Sequence, residues 1–188
     1  MNENIYNRLA EKKLSRSEIF SGKILHVVLD TVTLPNGTET TREVVLHNGA
    51  VCVVPLTDDN KIVMERQFRF PFDKVIWEIP AGKIDKGETD PNAAARRELL
   101  EETGYITNSL TFIGEYYPSP AILSEKIYMY LAKGLVKGEQ KLDEDEFLDI
   151  VELPIDDVID KILSNEIPDG KTQTAVLKVK ALLDRGKL

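Results

Sequence analysis

Between Arg16 and Val45 apolar and polar positions follow a period of two. Ile24, His26, Val28, Asp30 and Val32 alternate with Leu25, Val27, Leu29 and Thr31, and β-branched residues are common. Side chains of a strand point to opposite faces in turn, so this pattern predicts strands. Pro35-Asn36-Gly37 interrupts it and predicts the turn of a hairpin. Such a small sheet is marginal alone. It needs another surface, from the rest of the chain or from a second copy. Residues 1–14 are polar and read as a short or frayed helix.

From His47 onward the pattern changes. VCVVPL, the turn Asp58-Asp59-Asn60 and KIVMERQFRF predict a second hairpin, and VIWEIP predicts a short strand ending at Pro80. Asp90 before Pro91 is a good helix start, an N-cap acceptor followed by proline at the first helical position. Ala93, Ala94 and Ala95 favour helix, and Gly104 is the expected stop, so a helix is predicted over 91–103. Strands follow near 110–116 and 125–133, then the acidic loop KLDEDEF and a short strand over 149–153. Helices near 155–165, with Val158, Ile159 and Ile162 on one face, and near 171–184 complete the pattern.

The predicted central helix carries unusual charge. Glu98, Glu101 and Glu102 stand at i, i+3 and i+4, which brings them into one arc of roughly 100°. Leu100 and Ala93 fall on the opposite side, with Leu99 at its edge, so that side is expected to pack on a sheet. Three like charges in one arc repel each other. Many such faces are simply solvated. A hard divalent cation such as Mg²⁺, which takes oxygen ligands, turns the repulsion into a binding site. The preceding loop, PAGKIDKGE, supplies two glycines, an apolar anchor at Ile84 and a further carboxylate at Glu88.

Charge and composition narrow the partners. Of the 188 residues 42% are hydrophobic and 30% charged, as in folded proteins. A formal net charge of −8 argues against nucleic acid, whose phosphates call for a basic face. It leaves room for a small anionic substrate, because a bound metal reverses the local charge. Cys52 is the only cysteine, so no intrachain disulfide forms, and its apolar surroundings predict a buried thiol. No run approaches the roughly 20 apolar residues of a membrane helix, and the polar N-terminal segment does not resemble a signal peptide. The expectation is a cytoplasmic protein.

The helix and its loop together resemble the Nudix box, G-x5-E-x7-R-E-U-x-E-E-x-G-U, where U is a bulky apolar residue. Gly82, Glu88, Arg97, Glu98, Leu99, Glu101, Glu102, Gly104 and Tyr105 occupy its places. One departure exists: eight residues, not seven, separate Glu88 from Arg97. The extra residue is placed in the loop around Thr89-Asp90-Pro91, ahead of an unbroken helix. The resemblance implies an α/β (α+β) Nudix fold, a mixed sheet between helices with a small N-terminal antiparallel β domain. It implies Mg²⁺-dependent hydrolysis of a nucleoside diphosphate derivative, with Mn²⁺ as a substitute. It implies Glu98, Glu102 and the Ala81 carbonyl as metal ligands, Glu101 as their assistant and Arg97 as the group that orients the carboxylates.

The remaining chain is similar to the ADP-ribose pyrophosphatase branch of the family. That likeness implies a division into residues 1–45, for dimerisation and substrate contacts, and a catalytic domain over 46–188. It implies a homodimer with exchanged N-terminal sheets. In REVVLHNGAVCVVPL it implies Arg42 and Glu43 as substrate contacts, and in ERQFRF Arg69, whose fork suits phosphate. In YPSPAILSE, Pro120 and Glu125 match substrate positions, with Ala121 where the branch has glycine. Trp77 is a candidate to stack on the base, although a tryptophan in a short apolar strand is more often core. The acidic loop offers Glu144 and Glu146 as general base, Glu144 preferred. The expected reaction converts ADP-ribose to AMP and ribose 5-phosphate. The alternatives are another nucleotide sugar such as GDP-mannose, or a non-catalytic nucleotide sensor.

Overall fold

The alternating N-terminal segment folds into antiparallel strands. The computed structural model describes the backbone of residues 3–188 and the side chains of residues 5–188. The start of the expected N-terminal helix, residues 1 and 2, lies outside the described residues. Helix α1 (Glu3–Leu9) is followed by β1 (Lys12–Ser21), β2 (His26–Thr33) and β3 (Glu39–Leu46), in the sheet order β1-β2-β3. Along β2, Val28, Asp30 and Val32 are buried, as the period of two requires. Asp30 accepts two 2.6 Å hydrogen bonds from Arg16 of β1, which offsets the cost of burying its charge. The β2–β3 turn is closed by the Leu34 N–H to the Thr38 carbonyl (2.8 Å).

Two compact units divide the chain, Met1–Asn48 with Ser119–Glu125, and Gly49–Pro118 with Lys126–Leu188. In the first, the segment 119–125 lies along β3: the Val45 N–H donates to the Ile122 carbonyl (2.8 Å) and the Ser124 N–H to the Val45 carbonyl (3.0 Å). All ten residues of β1 are exposed.

The second unit holds β4 (Ala50–Pro55), β5 (Lys61–Arg69), β6 (Lys74–Glu78), β7 (Ala81–Lys83), α2 (Pro91–Thr103), β8 (Tyr105–Tyr116), β9 (Ile127–Lys137), β10 (Leu148–Pro154), α3 (Ile155–Leu163) and α4 (Gly170–Leu183). Its sheets run β7-β4-β9-β8, with β4 parallel to β9, and β10-β5-β6. The expected hairpin of VCVVPL with KIVMERQFRF does not form as one ladder. The connection from β4 to β5 is closed by an isolated bridge, Leu56 to Ile62, and by the Thr57 N–H to the Lys61 carbonyl (2.9 Å). Both edges of β4 are already taken by β7 and β9, so β5 turns away and pairs with β6 and β10.

Every residue of β4 is buried, the mark of a strand covered on both faces. Val51 and Val53 pack with Ala94, Ala95 and Leu99 of α2. Cys52 and Val54 face the opposite way and pack with Val158 and Ile162 of α3 and Val176 and Val179 of α4. Each such valine contributes roughly 1.5–3 kcal/mol through burial. The result is the mixed sheet between helices that the resemblance implied.

Candidate active site

Local sequence sets the ends of α2. The Asp90 side chain accepts from the Asn92 N–H (2.9 Å), and Gly104, at φ 71°, closes the helix by donating to the Leu100 carbonyl (2.9 Å). Rotation about the helix axis differs from the expectation. Ala93 is exposed and Leu100 half-buried. The buried residues are Ala94, Ala95, Glu98, Leu99, Glu102 and Thr103. Two alanines let the helix lie close to the sheet, and this turns Glu98 and Glu102 inward beside the packing face.

The segment ahead of α2, expected as loop, forms β7, which lies against both carboxylates. Ala81 donates its N–H to Glu102 Oε2 (2.8 Å). Gly82 passes so close to Glu98 that a β-carbon there would overlap the carboxyl group. Arg97 draws the other acids together. Its Nη1 lies 2.9 Å from both Glu98 Oε1 and Glu101 Oε2, and its Nη2 donates to the Lys83 carbonyl (3.2 Å) and lies 3.4 Å from Glu88 Oε2. Glu88 therefore keeps its place by Arg97 despite the extra residue. Burial lowers the Arg97 pKa, but the charges of Glu98 and Glu101 outweigh it and raise the value.

Burial pushes the Glu98 carboxyl up to about 7, against the opposing charge of Arg97. Burial also raises Glu102, and Glu65 supplies the largest charge acting in the same direction. Glu65, on β5, is a residue the motif reading missed. It is 1% exposed, and its Oε2 has no hydrogen-bond partner among the described residues. The one signal in sequence is a glutamate inside the otherwise apolar run IVME. Burial raises Glu65 as well, with the charge of Glu78 adding to it. Of the loop acids, Glu146 adds its charge to Glu65, Glu98 and Glu102. Glu144 is exposed in the same loop.

The second sheet carries a separate ionic network. Arg69 grips Glu78 with two hydrogen bonds, 2.5 and 2.7 Å, and Lys171 at the start of α4 donates to the same carboxylate. Burial opposes the Glu78 charge, but these partners outweigh it and hold the carboxyl below its usual range. Trp77 is half-buried against the core cluster, with Arg66 5.0 Å and Lys161 5.8 Å from its ring. Arg42, Glu43, Pro120 and Glu125 belong to the first unit. There Arg42 is held by Glu11 (2.6 and 3.0 Å), Glu43 and Pro120 are exposed, and Glu125 lies 3.6 Å from His47 Nδ1. Cys52 is fully buried, as expected, and burial raises its thiol to about 12.

The acids of α2 and β5 are an all-oxygen donor set, which suits a hard divalent cation. An orphaned buried oxygen and a glycine whose missing side chain leaves room for Glu98 both fit such an ion. Among the described residues no group of three or more acidic, histidine or cysteine side chains is arranged to hold a metal ion.

Comparison with known proteins identifies the family. Residues 46–173 match the NUDIX domain, and residues 11–45 match the nucleoside diphosphate sugar hydrolase N-terminal domain. The chain is 44% identical over 183 residues to the ADP-ribose pyrophosphatase of Bacillus subtilis (strain 168), covering 95% of this chain and 98% of that protein. It is 47% identical over 168 residues to a methanol dehydrogenase activator of Bacillus methanolicus, covering 88% and 90% respectively. A solved structure titled as an ADP compounds hydrolase superposes with a TM-score of 0.83 at 25% identity, over 95% of this chain and 97% of that one. With its helix, glycine strand and buried acids in place, the chain belongs to the Nudix family of hydrolases.

Proposed function

We propose that this protein hydrolyses the pyrophosphate bond of ADP-ribose, adding water across it to give AMP and ribose 5-phosphate. The observation that carries the reading is the inward-turned acidic face of α2, backed by Gly82 and Ala81. The likeness over 95% of the chain to an ADP-ribose pyrophosphatase supports the choice of substrate.

Glu98, Glu102 and the Ala81 carbonyl are the groups assigned to hold a divalent cation, Mg²⁺ or in its place Mn²⁺. Such an ion shields the diphosphate, lowers the pKa of bound water and steadies charge on the leaving phosphate. Arg97 fixes the direction of Glu98 and Glu101, so that neither carboxylate swings away. Of Glu144 and Glu146 in the acidic loop, Glu146 takes the proton of the attacking water, supported by its half-buried position and the reach of its charge to the α2 acids. Arg69, released from Glu78 or reaching past it, contacts a phosphate, and Trp77 the base.

Residues 1–45 form the N-terminal domain and 46–188 the catalytic domain in this reading. The first brings Arg42 and Glu43 to substrate in a homodimer with exchanged sheets, and Pro120 and Glu125 complete the substrate contacts. An entirely exposed β1 supports dimerisation. No helix among the described residues is long and apolar enough to cross a membrane. In this reading the enzyme acts on small nucleotides in the cytoplasm, and the −8 charge argues against a nucleic-acid partner.

Rates on a panel of nucleoside diphosphate sugars, with Mg²⁺ and chromatography of the products, test the substrate. ADP-ribose is expected to give the highest kcat/KM, with AMP and ribose 5-phosphate in equal amounts. A higher value for GDP-mannose overturns the substrate, and tight binding of ADP-ribose without product overturns the catalysis.

A further inference from the structure

Glu65 stands one residue beyond the apolar part of β5, in register with Glu78 of β6. Alternation along the strand puts it on the same face as Val63. Val63 packs with Ala94, Ala95 and Leu99 of α2. The Glu65 side chain therefore leaves the strand toward the side that α2 covers, where Glu98 and Glu102 are buried. It is 1% exposed, and its Oε2 has no hydrogen-bond partner among the described residues. The nearby cations are engaged elsewhere: Arg69 and Lys171 bind Glu78, and Arg97 binds Glu98 and Glu101. A carboxylate oxygen sealed from water without a partner is costly. Hydrophobic replacement at this position would remove that cost, so the acid points to a ligand.

We propose that Glu65 is a further carboxylate ligand of the divalent cation, reaching the site from the sheet as Glu98 and Glu102 reach it from the helix. The inference rests on the proposed cation site of α2. It adds a strand residue that lies outside the motif and closes the inner side of the oxygen cage. Three carboxylates leave the loaded site more negative than two, and this favours a hard dication over a monovalent one.

Mn²⁺ binding to the full chain tests it, read from the resonance of free Mn²⁺ and from the rise in unfolding temperature on adding the metal. Glu65→Gln keeps the shape and removes the charge. It is expected to weaken Mn²⁺ binding about tenfold or more and to shrink the metal-induced rise in Tm. Glu65→Asp keeps the charge on a shorter arm and covers the case in which the amide does not fold; its affinity is expected to fall as well. Wild-type affinity and a wild-type Tm rise in either variant overturn the proposal. Glu102→Gln separates the two levels: if it too binds Mn²⁺ like the wild type, the cation site on α2 fails first, and Glu65 with it.

Discussion

A β-carbon built on Gly82 overlaps the carboxyl group of Glu98. Strand β7 and helix α2 approach so closely there that only glycine leaves the carboxylate its place. The clash is with the end of a flexible side chain, so Gly82→Ala should fold and instead displace Glu98. Misplacement of about 1 Å costs on the order of 10²-fold in rate. We expect kcat/KM for ADP-ribose to fall by about that factor, with Tm within about 4 °C of wild type. An undiminished rate would show that Glu98 is not held by this contact.

Glu98→Gln preserves volume and removes the charge. If Glu98 holds the cation, metal-dependent turnover should fall by at least about 10²-fold, while circular dichroism stays unchanged. Near-native activity would refute the assignment of Glu98.

Glu78 is 1% exposed and binds both Arg69 and Lys171. Replacing it with glutamine leaves two cations without their anion, which should cost about 3–5 kcal/mol near neutral pH. The Glu78 carboxyl is held below its usual range, whereas the unfolded chain has it near 4.3. Its stabilisation is therefore complete above about pH 4.3 and is lost as pH falls through the lower folded value. Urea unfolding of wild type and Glu78→Gln should show a gap that narrows below about pH 4. A gap that widens on acidification contradicts the sign.

The two loop glutamates differ in environment. Glu146 is half-buried and its charge reaches Glu98 and Glu102, while Glu144 is exposed. Loss of a general base costs typically 10²–10⁴-fold. Glu146→Gln should lower kcat by roughly 10²-fold or more with little change in KM, and Glu144→Gln should stay within about threefold of wild type. The reverse order would return the role to Glu144.

Ile19 and Phe20 on β1 are 60% and 55% exposed. If two copies cover them, sedimentation equilibrium at micromolar concentration should report twice the chain mass. Ile19→Asp should shift it to the monomer. A wild-type protein that sediments as a monomer removes the dimer.

Much of this was legible in one dimension. Asp90, Pro91 and Gly104 fix the ends of α2 because capping depends on hydrogen bonds a few residues away. Alternation in β2 and the turn at Pro35-Asn36-Gly37 are equally local. The spacing of Arg97, Glu98, Glu101 and Glu102 marked the acidic helix, since residues three and four apart share a face whatever lies around them.

Local rules do not say which face of a helix is buried, or against what. Burial of Glu98 and Glu102 instead of Leu100 and Ala93 was decided by close packing of Ala94 and Ala95 on β4, a strand about 40 residues earlier in the chain. The separation of β4 from β5 followed from competition for the edges of β4 by β7 and β9, partners no short window contains. Glu65 was invisible for the same reason: a glutamate in an apolar run is an oddity in sequence, and becomes part of a site only when sheet and helix meet. The sequence thus determined the elements and the chemistry they carry. The tertiary structure decided which charges lost their water, because desolvation depends on everything packed around a group and not on its neighbours along the chain.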